Sequence, residues 1–257
     1  MSSRERLHRY HDTNYSAEAV APLDQIVEYK SSPANRFEAC LKYFPTCFRG
    51  GDILELGAGS GLVARSLIAS GLKFNTYMLS EVSQNRLKGL SQSFTDPRTR
   101  VIRLDAESLP DDELHRYDAV IMIALIAQLV DPIGAMRQVR KLLRPGGFVF
   151  LETPNVAKFT RRAKLLFGRF PAIASRNEGL TTYEDSPLDL LDGGHLHYFT
   201  FRSMSLMLVE RCGFSRVEKL SYFVGPNGHR MVGHKIGDGL ARLWPELFSE
   251  IVVVAYA

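Results

Sequence analysis

The chain has 257 residues, of which 45% are apolar and 23% are charged, and it carries a formal net charge of +4 at neutral pH. Such a composition is typical of a folded globular protein and excludes collagen-like, coiled-coil and intrinsically disordered chains. The small positive charge is compatible with an anionic substrate but does not indicate nucleic-acid binding.

Residues 1–48 are predicted to form a helical N-terminal arm that precedes one α/β domain over residues 49–257. The start of the arm is polar, aromatic and charged, and we do not expect it to act as a signal peptide. From Pro33 onwards, apolar residues such as Phe37 and Phe44 recur at helical spacing. This spacing predicts the first helix.

A glycine-rich stretch over residues 52–62 carries the strongest signal. It reads DILELGAGSGL, so a short apolar run is followed by alternate glycines and then by apolar residues at helical spacing. The pattern predicts a buried strand, a tight turn and a helix whose free N–H groups face a polar ligand. The spacing is not the G-x-G-x-x-G of dinucleotide-binding turns, which argues against NAD. Glu55 lies in the strand and needs a partner when buried; the amino group of an amino-acid-like ligand is one candidate.

This stretch resembles the first motif of the class I S-adenosylmethionine (SAM) methyltransferases, E/D-x-G-x-G-x-G, here Glu55 to Gly61. The resemblance implies SAM as the cofactor, held by the turn through Gly57, Ala58, Gly59 and Gly61. It also implies an α/β, doubly wound, Rossmann-like fold. The expected sheet has seven strands in the order 3-2-1-4-5-7-6, with its last strand antiparallel, helices on both faces and a cap insertion after strand five.

An acidic residue follows each of the next two predicted strands. The second strand is expected at 74–79, and Glu81 comes a little over 20 positions past the turn, where a βαβ fold places a carboxylate for ribose hydroxyls. Ser83 is expected to cap the following helix with its side chain. The third strand is expected at 101–104, and the resemblance places the next residue, Asp105, beside the adenine. An aspartate that caps a turn at the strand end is the alternative.

The stretch 117–123 is apolar throughout 119–123 and predicts a fourth strand that is covered on both faces. A helix is expected at 133–143 and a fifth strand at 148–151. The block resembles the methyltransferase pattern of strand, E-x-x-x-H-x-x-D-P, helix and L-R/K-P-G-G. Ala124 and Gln128 depart from it, because they stand near the positions where relatives often carry Glu and His.

The first helix contributes a further candidate. In relatives of the ubiquinone-pathway type, an arginine in this helix clamps the carboxylate of the ligand, which is the role the resemblance implies for Arg36; a solvated arginine is an equal alternative. The predicted donor site comprises Arg36, Glu55, Gly57, Ala58, Gly59, Gly61, Glu81, Val82, Asp105, Ala106 and Ile123.

Residues 153–198 interrupt the alternation of strands and helices and are predicted to form a cap or lid. A basic amphipathic helix is expected at 158–168, and a solvated face is favoured over membrane or phosphate binding. His195 and His197 flank a leucine after two glycines and are the candidate general bases. For His195, a structural hydrogen-bonding role is an equal alternative. The last two strands are predicted at 213–223 and 251–256.

The function indicated is metal-independent, SAM-dependent O-methylation of a small molecule such as a sugar, a polyketide or a quinone precursor. A methyltransferase-like protein that binds SAM without catalysis is the alternative, and N-methylation or RNA modification is a weaker one. No metal is expected, because Glu152 and Asn155 are the only candidate oxygen ligands after the fifth strand. The expected partner is a small acceptor, anionic or sugar-like; nucleic acid is not expected, and the protein is expected to be a monomer or homodimer.

Two further features indicate the compartment. Cys40, Cys47 and Cys212 form neither a C-x-x-C pair nor an even disulfide set, which favours a reduced, cytoplasmic protein. The longest apolar run, at 119–127, is too short to cross a bilayer.

Overall fold

The computed structural model describes residues 5, 8, 9, 12, 25–28, 33–110, 114–173, 194–222 and 234–257. The strands are β1 (Asp52–Leu56), β2 (Thr76–Glu81), β3 (Thr99–Arg103), β4 (Tyr117–Ile123), β5 (Leu143–Thr153), β6 (Arg216–Leu220) and β7 (Ile251–Tyr256). The helices are α1 (Arg36–Cys47), α2 (Leu62–Ala69), α3 (Gln84–Ser93), α4 (Pro132–Leu142), α5 (Phe159–Leu166), α6 (Phe201–Leu206), α7 (His234–Leu243) and α8 (Pro245–Phe248).

The strands form one sheet in the order β3-β2-β1-β4-β5-β7-β6, which confirms the predicted topology. β1 to β5 run parallel, whereas β7 is antiparallel to both β5 and β6. The carboxyl ends of the five parallel strands therefore meet along one edge of the sheet. Ligands of open α/β sheets bind at this edge.

Both faces of the sheet are covered by helices, which explains why its central strands are largely apolar. On one face, the ring of Phe44 in α1 lies 5.8 Å from that of Phe148 and 6.0 Å from that of Phe150 in β5. On the other face, Met136 and Val139 of α4 are fully buried in a second apolar cluster. The two clusters hold the strand ends in a fixed relation to α1 and α2.

Side-chain caps decide where two of the helices begin. α1 begins at Arg36 rather than near Pro33, because the Asn35 carboxamide oxygen accepts the N–H groups of Phe37 and Glu38, each at 3.0 Å. α6 begins after Thr200, which forms a reciprocal capping box with Ser203.

The prediction that the Ser83 side chain caps α3 is wrong. Ser83 occupies the N-cap position but makes no capping bond, and its buried hydroxyl has no hydrogen-bond partner in the described part of the chain. A carboxylate oxygen of Asp12, in the N-terminal arm, accepts the N–H of Gln84 at 3.0 Å instead. The arm therefore contacts the start of α3.

Four predicted strands have different bounds, since β3 covers 99–103 rather than 101–104, β6 covers 216–220 rather than 213–223, and β2 and β5 are also shifted. β2 begins and ends two residues later than expected, because Phe74 packs its ring edge-on against Tyr77 at 5.8 Å while Glu81 continues the ladder opposite Arg103. β5 begins earlier than expected, since Leu143 already pairs with Tyr117. Glu81 is thus the last residue of its strand and not the start of a loop.

The predicted cap is described only at its two ends, and residues 174–193 lie outside the described residues, so this assignment stays a prediction. Its basic helix forms as α5, where Lys158 and Arg161 bind the carboxylate of Glu250 at 3.1 and 2.8 Å. Between β6 and β7, α7 and α8 cover residues 234–243 and 245–248. No helix of the described ranges has both the length and the hydropathy needed to cross a bilayer.

Candidate active site

The glycine turn between β1 and α2 adopts a backbone that other residues rarely take. Gly57, Gly59 and Gly61 all have positive φ, at 69°, 58° and 75°. Packing adds a second constraint at Gly61, where an added Cβ would lie 2.5 Å from a ring carbon of Phe94 and 2.8 Å from Leu90. The turn therefore packs closely against Leu90 and Phe94, at the end of α3. It lies at the carboxyl edge of the sheet.

Backbone hydrogen bonds hold the Glu81 carboxylate beside this turn. One carboxylate oxygen accepts the N–H of Gly59 at 3.0 Å, and the other accepts those of Val82 at 2.8 Å and Ser83 at 3.2 Å. The residue is 5% exposed, and an Arg86 guanidinium nitrogen lies 3.7 Å away. A carboxylate offers about four lone-pair positions, so this arrangement still accepts a hydroxyl hydrogen bond.

Asp105 follows β3 at the same edge. Its Oδ1 accepts the N–H of Glu107 at 2.8 Å, which is the turn-capping contact considered as an alternative from the sequence. Its Oδ2 lies 3.2 Å from Nε2 of His8, in the N-terminal arm. Ala106, beside it, is buried. The carboxylate predicted to face adenine is thus in contact with the arm.

Glu55 points into the face of the sheet that α1 covers. It is 3% exposed, and one of its oxygens accepts the hydroxyl of Tyr77 at 2.6 Å. Burial raises the pKa of this carboxyl from 4.5 to about 7, the Tyr77 hydrogen bond and Arg65 opposing the shift. Tyr77 is therefore the partner that the buried acid needs within the protein.

The end of β4 links the glycine turn to β5. Ile123 pairs with Glu152, and the next residue, Ala124, donates its N–H to the carbonyl of Glu152 at 3.0 Å. Ala124 has φ +54°, an uncommon value for a residue with a Cβ. A Cβ at Gly57 would lie 3.3 Å from the side chain of Leu125. The turn and the ends of β4 and β5 are thus in contact.

The two candidate histidines lie next to this region. The N–H groups of Leu196 and His197 both bind the carbonyl of Ala127, at 2.8 and 3.0 Å. The ring of His197 lies 6.2 Å from that of Phe199, and both histidines are half-buried. The structure therefore places the histidine segment beside the loop that follows β4.

Glu152 and Tyr222 form a site that the sequence did not reveal. Glu152 is 3% exposed, and its Oε1 accepts the Tyr222 hydroxyl at 2.7 Å. Burial raises the pKa of Glu152, and the charge of Arg36 opposes the shift. The acid was noted in the sequence only as a metal ligand. Within the described residues, no group of three or more metal-binding side chains occurs.

The comparisons with known proteins agree with this geometry. A family model described as a methyltransferase domain matches residues 32–219. The chain belongs to this methyltransferase family. The recognition made from the first motif is thereby confirmed, together with the SAM cofactor that it implied.

Among similar proteins, the ubiquinone biosynthesis O-methyltransferase of Xanthomonas oryzae pv. oryzae is 31% identical over 109 residues, covering 41% of this chain and 44% of that protein. The fumosorinone synthetase of Cordyceps fumosorosea is 33% identical over 116 residues, or 42% of this chain and 3% of that protein. A SAM-dependent methyltransferase structure from Mesorhizobium loti superposes with a TM-score of 0.57 at 18% identity, covering 85% of this chain and 98% of that chain. The chain thus spans less than half of the curated relatives it matches.

The donor-side residues of this methyltransferase fit SAM. Glu81 is a fixed carboxylate of the kind to which ribose hydroxyls can donate, and the glycine turn beside it carries no Cβ at Gly57 or Gly59, so its role toward ribose stays a prediction. Glu55 is buried and bonded to Tyr77, so its predicted role toward the ammonium group of SAM stays a prediction. Arg36 lies at the start of α1 and acts on Glu152 through its charge, so its predicted clamp role stays a prediction.

The shifted Glu55 carboxyl predicts how the stability of this methyltransferase depends on pH. Between pH 4.5 and about 7, Glu55 is protonated in the folded protein and ionised in the unfolded chain. Unfolding then releases a proton, so the free energy of unfolding falls as pH rises, by about 3 kcal/mol in all. Glu55→Gln is expected to remove this fall.

The measurement is urea unfolding of the wild type and Glu55→Gln at several pH values between 4.5 and 8. The difference between their free energies of unfolding should change across this range, with the variant gaining relative stability as pH rises. Glu38→Gln, on the partly exposed first turn of α1, serves as a control. Parallel pH profiles for wild type and Glu55→Gln would contradict the assignment.

Proposed function

We propose that this protein transfers a methyl group from SAM to a hydroxyl of a small molecule such as a sugar, a polyketide or a quinone precursor. The observation that carries the proposal is the carboxylate of Glu81, held 3.0 Å from the N–H of Gly59 by backbone donors. It provides a preorganised ribose contact beside a turn of positive-φ glycines. Similarity to ubiquinone biosynthesis O-methyltransferases supports oxygen as the accepting atom.

SAM supplies an electrophilic methyl group on a sulfonium sulfur. The chain's contribution is to bind and orient, because displacement at the methyl carbon depends mainly on in-line positioning. Gly57 to Gly61, Glu81 and Asp105 hold the donor in this proposal, with Ala106, Val82 and Ile123 beside it. His195 and His197 are the bases proposed from the sequence. Three free cysteines support a reduced, cytoplasmic setting.

The test is transfer from SAM carrying a ¹³C methyl group to four probes: catechol, methyl α-D-glucopyranoside, a β-ketoacyl thioester and histamine. We expect methyl–oxygen products from a hydroxylated probe, identified by their ¹³C shifts. Carbon or nitrogen products alone would contradict O-methylation. Tight binding of S-adenosylhomocysteine with transfer to no probe would favour the non-catalytic alternative.

Transfer is expected to be independent of metal ions. The ends of β4 and β5 carry Ile123 and Glu152, and a hard cation requires several oxygen ligands. The transfer rate should therefore be unchanged in millimolar EDTA. A loss of rate that added Mg²⁺ restores would contradict this expectation.

A further inference from the structure

Glu152 lies at the carboxyl edge of the sheet, where the ligands of open α/β sheets bind. It stands next to last in β5, beside the end of β4, and its carbonyl binds the N–H of Ala124 at 3.0 Å. The side chain of Leu125, the next residue, lies 3.3 Å from the position that a Cβ at Gly57 would take. Neighbouring strands are about 4.8 Å apart, so β5 is about 10 Å from β1 across the sheet. A donor bound at the turn and extended across β4 would bring its reacting end toward the end of β5, where Glu152 lies.

One oxygen of Glu152 lacks the partner that its burial requires. Oε1 accepts the Tyr222 hydroxyl at 2.7 Å, whereas Oε2 is buried and has no hydrogen-bond partner among the described residues. The Ala124 N–H, which donates to the Glu152 carbonyl, is near enough to lower the pKa of the carboxyl. A buried, unsatisfied polar atom is costly, and native structures rarely retain one without a functional reason. The missing partner is a hydrogen-bond donor, because a carboxylate oxygen only accepts.

The groups around Glu152 keep it in place and set its charge. From α1, the positive charge of Arg36 lowers the pKa of Glu152. Burial, and then the negative charges of Glu55 and Glu152, raise the pKa of the buried Cys40 thiol. Tyr222, which follows β6, donates its hydroxyl, and Glu250, which precedes β7, adds a negative charge. These are the ionisable groups that face Glu152. Burial makes it a stronger base than an exposed glutamate, because the charged form is desolvated.

We infer that Glu152 binds the reacting hydroxyl of the methyl acceptor through Oε2 and receives its proton. The inference rests on the proposed function and names the substrate class as alcohols or phenols. The acceptor oxygen forms a bond to the methyl carbon with its lone pair, and the methyl–sulfur bond breaks with its electron pair staying on sulfur. The hydroxyl proton moves to Oε2. Tyr222 is a positioning residue that holds Oε1.

Glu152 is a better candidate than the two histidines for the general base. It is held by a strand and by a hydrogen bond to Tyr222, whereas His195 and His197 lie on a segment attached through the backbone to Ala127. A base fixed on a rigid element keeps the geometry that proton transfer requires.

The first experiment observes Glu152 directly, without turnover. The protein is labelled with [5-¹³C]glutamate and saturated with S-adenosylhomocysteine, and the signal missing in Glu152→Gln is assigned to Glu152. Catechol and methyl α-D-glucopyranoside are added in turn, with 1,2-dimethoxybenzene as the matched ligand that lacks hydroxyls. A hydroxylated probe should shift the Glu152 signal, and dimethoxybenzene should not. No shift with either hydroxylated probe, or equal shifts with the ether, would overturn the inference.

The second experiment measures transfer. Glu152→Gln should reduce the turnover of the hydroxylated probe by about 10²- to 10⁴-fold, the usual contribution of a general base. Its affinity for S-adenosylhomocysteine should stay within about twofold of wild type. Glu246→Gln is the control, since this partly exposed glutamate pairs with Lys219. An unchanged rate in Glu152→Gln, with loss of rate in His195→Ala, would overturn the inference.

A second variant guards against failure of Glu152→Gln to fold. Tyr222→Phe keeps the ring and removes the hydrogen bond that lowers the pKa of Glu152, so the ¹³C titration midpoint of Glu152 should move to higher pH. A midpoint that does not move would overturn the assigned geometry. The two proposals fail in different ways. If O-methylation survives in Glu152→Gln, only the role of Glu152 is refuted. If the wild type methylates only nitrogen or carbon, the proposed O-methylation itself is refuted.

Discussion

Replacing Glu81 by alanine is expected to weaken the binding of S-adenosylhomocysteine by about 10- to 150-fold. A hydrogen bond to a charged acceptor contributes about 1.5–3 kcal/mol, and at least one ribose hydroxyl loses such a bond in the variant. Glu81 is held by the N–H groups of Gly59, Val82 and Ser83, so no reorganisation is needed before it binds. Isothermal titration calorimetry measures the change.

The control for this result is Asp96→Ala. Asp96 precedes β3, at the amino ends of the parallel strands, and pairs with Arg98. Its replacement by alanine changes the net charge by the same amount as Glu81→Ala but does not alter the glycine turn. Its affinity should match the wild type. Because Glu81→Ala also leaves three backbone donors without an acceptor, both variants are compared below their unfolding temperatures. Equal affinity in wild type and Glu81→Ala would refute the ribose assignment.

Replacing Gly61 by alanine is expected to reduce the free energy of unfolding by about 2–5 kcal/mol. A left-handed backbone costs a residue with a Cβ about 1–2 kcal/mol, and the added atom must also displace Phe94 and Leu90, at about 1–3 kcal/mol for overpacking. Urea unfolding at constant pH gives this quantity. Donor binding should weaken as well, because the turn shifts with its backbone.

Gly71→Ala separates the two contributions. Gly71 has φ +83°, close to the +75° of Gly61, but no atom lies within 4 Å of its added Cβ. This variant should therefore show the backbone cost alone, about 1–2 kcal/mol. If both variants lost the same stability, the contact with Phe94 would not be what restricts Gly61.

The parts of the fold that could be predicted are those with strong local signals. β4 and β7 occur at the predicted residues because each is a largely apolar run, which is how a covered strand reads. Glu81 could be predicted as a ribose-binding candidate because, in a βαβ unit, the end of the second strand follows the glycine turn after a nearly fixed number of residues. The bounds of β2 were wrong by two residues, since Phe74 is apolar but packs against Tyr77 outside the strand.

The pairs that complete the site could not be predicted, because their partners are far apart in sequence. Tyr222 and Glu152 are separated by 70 residues, and Asp12 and Gln84 by 72. No spacing rule connects such residues. Only the sheet, with β7 between β5 and β6, brings the segment after β6 to the end of β5.

The sequence by itself determined the family and the strand order of this protein and predicted its donor-side residues, because a glycine turn between strand and helix needs particular residues at fixed spacing. The tertiary structure decided the environment of each acid. Glu55 and Glu152 are both strand glutamates in the sequence, yet one has Tyr77 and the other has Tyr222 with an unpartnered oxygen. Burial and neighbouring charges set the chemistry of a carboxyl, and both arise only when distant segments pack together.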